Sequence, residues 1–213
     1  MTPTRILLLA AALAAPILFV TGQALLPNLG RDPATAFPLM LEYRDQLILS
    51  RLLTTAGAYL LLPLFWLVAG LGGTVTRAGA AIAAVGTFFN AVSQAVQGYA
   101  AWGATAPGLD HGASMQTLLH LEDGPAGLVV SYWSVPLFGI GLIVMGIGLL
   151  IAKSAPRWMP LLLLAGVVLG FLTAGLGPVV ALTQIPLVAA LIALAVYKVF
   201  SLAPQPASVH TDA

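Results

Sequence analysis

The sequence predicts an all-α polytopic integral membrane protein, a bundle of six transmembrane helices with both termini cytoplasmic. Three observations lead there. Apolar residues make up 60% of the 213 positions and charged residues only 7%, against about 25% charged in soluble domains. Mean hydropathy is +1.00. Eight basic and seven acidic residues cannot clothe a water-facing surface. The apolar runs lack strand alternation and exceed the roughly 10 residues of a membrane β-strand. Lipid accepts only structures that satisfy their own backbone bonds, so the runs must be helices. Finally, the charges are sorted by loop. A soluble enzyme, a disordered chain, a coiled coil and a nucleic-acid partner are all excluded by composition.

The first run, residues 6–26, follows Arg5 as the core of a signal peptide would. It continues to Leu26 with no clean Ala-x-Ala site behind it, so it is read as a retained span. A long polar stretch, 27–46, follows. Within it Pro38 suits a first helical position, which makes 38–71 one extended element carrying the second span, 47–71. A short loop leads to the third span, 78–102, and a second long stretch, 103–127, to the fourth, 128–151. The fifth and sixth spans are 158–176 and 183–202. Each meets the roughly 20 residues a crossing needs. Residues 1–202 thus form one transmembrane domain. The polar, Pro-containing segment 203–213 reads as a disordered cytoplasmic tail.

Six crossings put both termini on one side. That side holds Arg5, Arg77, Lys153, Arg157 and Lys198 with one acid, Asp212. The other holds Arg31, Arg44 and Arg51 with Asp32, Glu42, Asp45, Asp110, Glu122 and Asp123. Basic residues mark the cytoplasmic face, so six of the seven acids lie outside. The Ala, Gly, Leu and Val bias fits a GC-rich bacterial genome, and the expected location is the bacterial inner membrane.

Polar residues within the spans cluster toward the outer ends. Asn90, Gln94 and Gln97 fall at i, i+4 and i+7, one face of a helix. Amides facing lipid would cost about 2–7 kcal/mol each if unpaired, so they must face the interior, either as helix–helix glue or as a pocket wall. Ser50, Thr54 and Thr55 occupy the outer half of the second span, and Ser131 and Ser134 open the fourth. The inner stretches 60–71, 138–151 and 187–196 carry no charge and no amide. This asymmetry predicts an outward-facing pocket.

Arg51 lies about a turn inside its apolar run, where charges are costly and usually paired or functional. Snorkelling to the headgroups is the plainer reading. Glu42 and Asp45, near the interface on the same proposed element, are candidate acids, with Arg51 as their orienting charge and Glu122 and Asp123 as reserves. Tyr99, Trp102, Tyr132, Trp133 and His120 complete the candidate pocket, although outer aromatics also fit an interfacial belt. His111 and His120 beside the carboxylates match no zinc spacing, so no metal is expected. The absence of cysteine removes disulfides, thiolate chemistry and Fe–S clusters. No Gly-rich phosphate loop or other cofactor motif is present.

These parts suit acid–base chemistry, a cyclisation, isomerisation or hydrolysis, on a small lipophilic ligand of isoprenoid type drawn from the bilayer. Membrane-embedded terpene cyclases offer an analogy of architecture only. The alternative is a non-enzymatic capture subunit of an uptake system. A transporter comes third, because the blank inner halves offer no polar route. Gly166 and Gly170 form a small-xxx-small face, suited to intramolecular packing or to a homo-oligomer seam.

Overall fold

The computed structural model describes residues 3–29, 33–124, 133–173 and 179–201. Helices account for nearly all of these residues, and there is no strand among them. In chain order they are α1 (Pro3–Leu25), α2 (Pro33–Glu42), α3 (Arg44–Ala69), α4 (Thr74–Ala104), α5 (His111–Asp123), α6 (Trp133–Ala152), α7 (Trp158–Leu172), α8 (Val179–Thr183) and α9 (Ile185–Ser201).

Five segments are long and apolar enough to cross a membrane: Ile6–Leu25, Arg44–Ala69, Thr74–Ala104, Trp133–Ala152 and Val180–Ser201. The expected fifth span is shorter than 158–176. Its helix, α7, has 15 residues, about 22 Å at 1.5 Å per residue, against a hydrocarbon core of about 30 Å. The continuous 38–71 element is also corrected. The chain breaks at Tyr43 (φ −101°, ψ 23°), with Pro38 inside α2 rather than opening a helix. The break removes Glu42 from the helix that carries Asp45 and Arg51. The long stretches 27–46 and 103–127 are not simple loops, since they contain α2 and α5. Tyr132, Ser131, Asp32 and the tail 203–213 lie outside the described residues.

The six longer helices form a closed ring in which sequence neighbours pack: α1 on α3, α3 on α4, α4 on α6, α6 on α7, α7 on α9, and α9 back on α1. Short links such as Gly70–Gly73 force antiparallel neighbours. The tightest seam is α4 against α6. A methyl group at Gly86 would run into the backbone nitrogen of Phe138, and one at Gly79 into that of Met145. Small residues at this spacing let two backbones approach closely, the main source of helix association in lipid. Phe138 also bridges the ring's interior, with its centroid 6.3 Å from Phe19 of α1 and 6.3 Å from Phe65 of α3. Leu142, Met145, Leu149, Leu163, Leu191 and Leu194 are fully buried around it.

The helix directions sort the charges onto two ends. Lys198, near the end of α9, donates from Nζ to the Gly70 carbonyl at 2.8 Å. This places the end of α9 beside the α3–α4 turn. Arg77, Lys153 and Arg157 lie at that same end, while Glu42, Asp45 and Asp110 lie at the other.

Candidate functional site

At the acidic end, α3 is held on two sides by different chemistry. Toward α1, the Gln46 amide donates to Leu25 O at 2.8 Å and Ser50 Oγ to Gly22 O at 2.7 Å. The Thr54 hydroxyl donates to Ser50 O at 2.9 Å. A methyl group at Gly22 would strike Thr54, so these groups pack two backbones against each other. Ser50 and Thr54 are therefore glue between α1 and α3 and do not line a pocket.

Toward α4 the contacts are made by two guanidinium groups on neutral partners. Arg44 donates from Nε to Trp102 O at 3.2 Å, and its guanidinium carbon lies 4.3 Å from the centre of the Trp102 ring. Two turns further in, Arg51 donates from Nη1 to Gln94 Oε1. The Gln94 amide nitrogen in turn donates to Asn90 Oδ1 at 3.2 Å. Asn90 is buried, and Arg51, Gln94 and Gln97 are half-buried. Gly98 makes room for this pairing, since a methyl there would lie 2.7 Å from Arg51 Cβ. The i, i+4 amide stripe thus orients one guanidinium inside the bundle. One turn below Arg51, the buried Thr55 hydroxyl has no hydrogen-bond partner among the described residues. An unmatched buried hydroxyl costs about 1–3 kcal/mol; a bound polar group would remove that cost.

The carboxylates sit at the rim. Asp45 has 92% of its side chain exposed and lies 4.0 Å from Arg44. Glu42 is exposed at the end of α2. It accepts a hydrogen bond from the Tyr43 phenol, and this bond and the carboxylate's charge hold the phenol above its usual pKa of 10.0. α5 packs against α4 and α2, with the His111 ring edge-on to Phe37 at 5.9 Å. Its start is set by Asp110, whose Oδ1 accepts from the Gly112 amide at 2.9 Å. α2 and α5 thus pack on each other at the acidic end. Glu122 and Asp123 close α5, and their side chains lie outside the described residues. His120 is exposed, nine residues or about 13 Å along α5 from His111. Among the described residues no three His or acidic side chains come together as metal ligands.

Tyr99 and Trp133 are exposed on the outside of the bundle, and Trp102 is partly covered by Arg44. The structure therefore joins Arg51, Gln94 and Asn90, and separately Arg44 and Trp102. It keeps Glu42 on a different helix. Arg44 and Thr55 carry parts of this arrangement that the sequence alone did not assign to the site. Their spacing from Arg51, i−7 and i+4, was the available signal.

No known protein family, no curated protein and no solved structure matches the chain.

Proposed function

We propose that this is a multi-pass protein of the bacterial inner membrane that binds a small lipophilic, isoprenoid-like molecule by its polar head at the acidic end of the bundle. The observation that carries the reading is the half-buried Arg51 guanidinium, fixed by the Gln94–Asn90 amide pair inside an apolar helix. Intramembrane charges held in this way mark ligand sites more often than they add stability. The orphan hydroxyl of Thr55 supplies a second polar contact on the same side, and the apolar tail would lie along the neighbouring lipid-facing helix surfaces.

Acid–base chemistry on that molecule is the catalytic form of the same proposal. Its support is the Glu42–Tyr43 pair at the rim, where the carboxylate holds the neighbouring phenol above its usual pKa, with Asp45 three residues from Glu42. The break at Tyr43 and the exposure of Asp45 favour binding as the primary role. A capture subunit and an enzyme would both use Arg51, and only the enzyme needs the acids.

Farnesyl phosphate, with farnesol as the comparison lacking the phosphate, tests both readings in reconstituted protein. Arg51→Gln is expected to weaken farnesyl phosphate binding about tenfold to a hundredfold, since hydrogen bonds to charged groups contribute about 1.5–3 kcal/mol. Glu42→Gln and Asp45→Asn should keep binding, and for an enzyme one of them should lower turnover by about 10²–10⁴-fold. Parental affinity in Arg51→Gln would discard this site.

A further inference from the structure

A second site lies at the opposite end of the same helix pair. Between α3 and α4, near the Gly70–Gly73 turn, an open groove of about 610 Å³ is lined by Leu62, Phe65, Trp66, Ala69, Ala81 and Ala84, with Arg77 as its charged lining residue. This volume falls within the roughly 300–1,000 Å³ of small-molecule sites. Small side chains on α4 open the groove: three alanines line its α4 side below Arg77. The wall on the α3 side is aromatic. Phe65 is buried beneath it, and Trp66 is 85% exposed on its outer edge, toward the surroundings of the bundle.

Among the described residues the charge around the mouth is of one sign. Arg77 is in the first turn and a half of α4, where the helix dipole is already positive and a cation is unfavourable. That helix start has neither an acidic residue nor a side-chain cap. Lys198 adds a second cation, 2.8 Å from the carbonyl of Gly70, itself a lining residue. Lys153 and Arg157 lie in the α6–α7 turn at the same end, and the described acids all sit at the other. An apolar groove open to lipid and ending in cations with no described acid beside them is complementary to an amphiphile with an anionic head. Basic pockets between membrane helices hold acidic lipid head groups for this reason.

We infer that the α3–α4 groove is a binding site for an anionic phospholipid of the surrounding leaflet, with one acyl chain against Trp66 and Ala81 and the phosphate on Arg77. The site depends on the membrane location but not on the ligand proposed for Arg51. Its test uses Trp66 as reporter. In a Trp102→Phe, Trp133→Phe, Trp158→Phe background, Trp66 is the remaining tryptophan. The protein is reconstituted in phosphatidylcholine vesicles containing a minor share of either brominated phosphatidylglycerol or brominated phosphatidylcholine. Bromine on a chain in the groove quenches the indole on contact. Quenching should show about a fivefold preference for the glycerol lipid, from about 1 kcal/mol per basic residue. Arg77→Gln should abolish most of that preference, and Arg77→Lys should retain it. Ala84→Leu, which fills the groove and leaves the cations in place, should also abolish it. Equal quenching by the two lipids in the parent overturns the inference. A preference that survives Ala84→Leu overturns it too, because the cations would then act as a diffuse surface charge with no groove involved.

Discussion

Arg51 and Gln94 face each other at a depth where water competes poorly for their hydrogen bond, so the pair is coupled more strongly than a surface contact. A double-mutant cycle measures this. Arg51→Met and Gln94→Leu should each destabilise the protein in detergent unfolding. The double variant should cost about 1–2 kcal/mol less than the sum, within the range seen for residues in one network. Additivity within about 0.5 kcal/mol would mean that the two side chains do not act together. At this scale the Asn90–Gln94 stripe was legible, because i and i+4 lie on one helix face whatever the tertiary structure. The roles of Ser50 and Thr54 were not. A hydroxyl in a membrane helix can bond its own preceding turn, a neighbouring carbonyl or a ligand, and sequence spacing does not distinguish these. Here Ser50 reaches Gly22 of α1 and Thr54 the carbonyl of Ser50.

Among the elements, helix seams depend on small residues whose partners the sequence leaves open. Gly166 packs inside the chain: a methyl there would strike the backbone nitrogen of Leu187 on α9. Among the described residues nothing lies within 4 Å of the same position on Gly170. Gly166→Ala should therefore destabilise by about 1–3 kcal/mol, the usual cost of overpacking, and Gly170→Ala should be near neutral in the same unfolding assay. If Gly170→Ala instead changes the oligomeric state in cross-linking, the open part of that face is a contact between copies. Five of the six expected spans were legible to within about five residues, because an unbroken apolar run of about twenty residues matches the thickness of a bilayer core and little else; the expected fifth corresponds to the shorter α7. Of α2 only its second half, 38–42, was expected to be helical, as the start of the longer 38–71 element, and α5 was not anticipated, although each carries a start signal. Pro33 is at the first helical position of α2, and Asp110 caps α5 from its side chain. The α4–α6 seam through Gly79 and Gly86 was missed for a different reason. In a chain with 22 glycines, small-xxx-small spacing arises often, and only the facing helix shows which instance is used.

For the whole molecule, the ring of six helices and the Lys198–Gly70 bond together limit the topology. If α7, at 15 residues, did not cross, the end of α9 would emerge opposite the α3–α4 turn and the Lys198–Gly70 bond would not form, so that bond favours the expected even number of crossings. A 15-residue helix can still bridge a bilayer that thins locally, at a cost of fractions of a kcal/mol per ångström. The chain has no native cysteine, so single substitutions report each end cleanly. Thr74→Cys, in the α3–α4 turn, and Ser201→Cys, at the end of α9, should react alike. Leu109→Cys, between α4 and α5, should react oppositely. All three positions are exposed. The cations gathered at the Arg77 end predict that it faces the cytoplasm. An impermeant maleimide added to intact spheroplasts of a bacterial host should therefore label Leu109→Cys, and label Thr74→Cys and Ser201→Cys only after lysis. Labelling of Ser201→Cys together with Leu109→Cys would mean an odd number of crossings. Labelling of Thr74→Cys and Ser201→Cys but not Leu109→Cys would keep the six-helix ring and invert it. The Arg51 site would then open to the cytoplasm and the Arg77 groove would meet the outer leaflet.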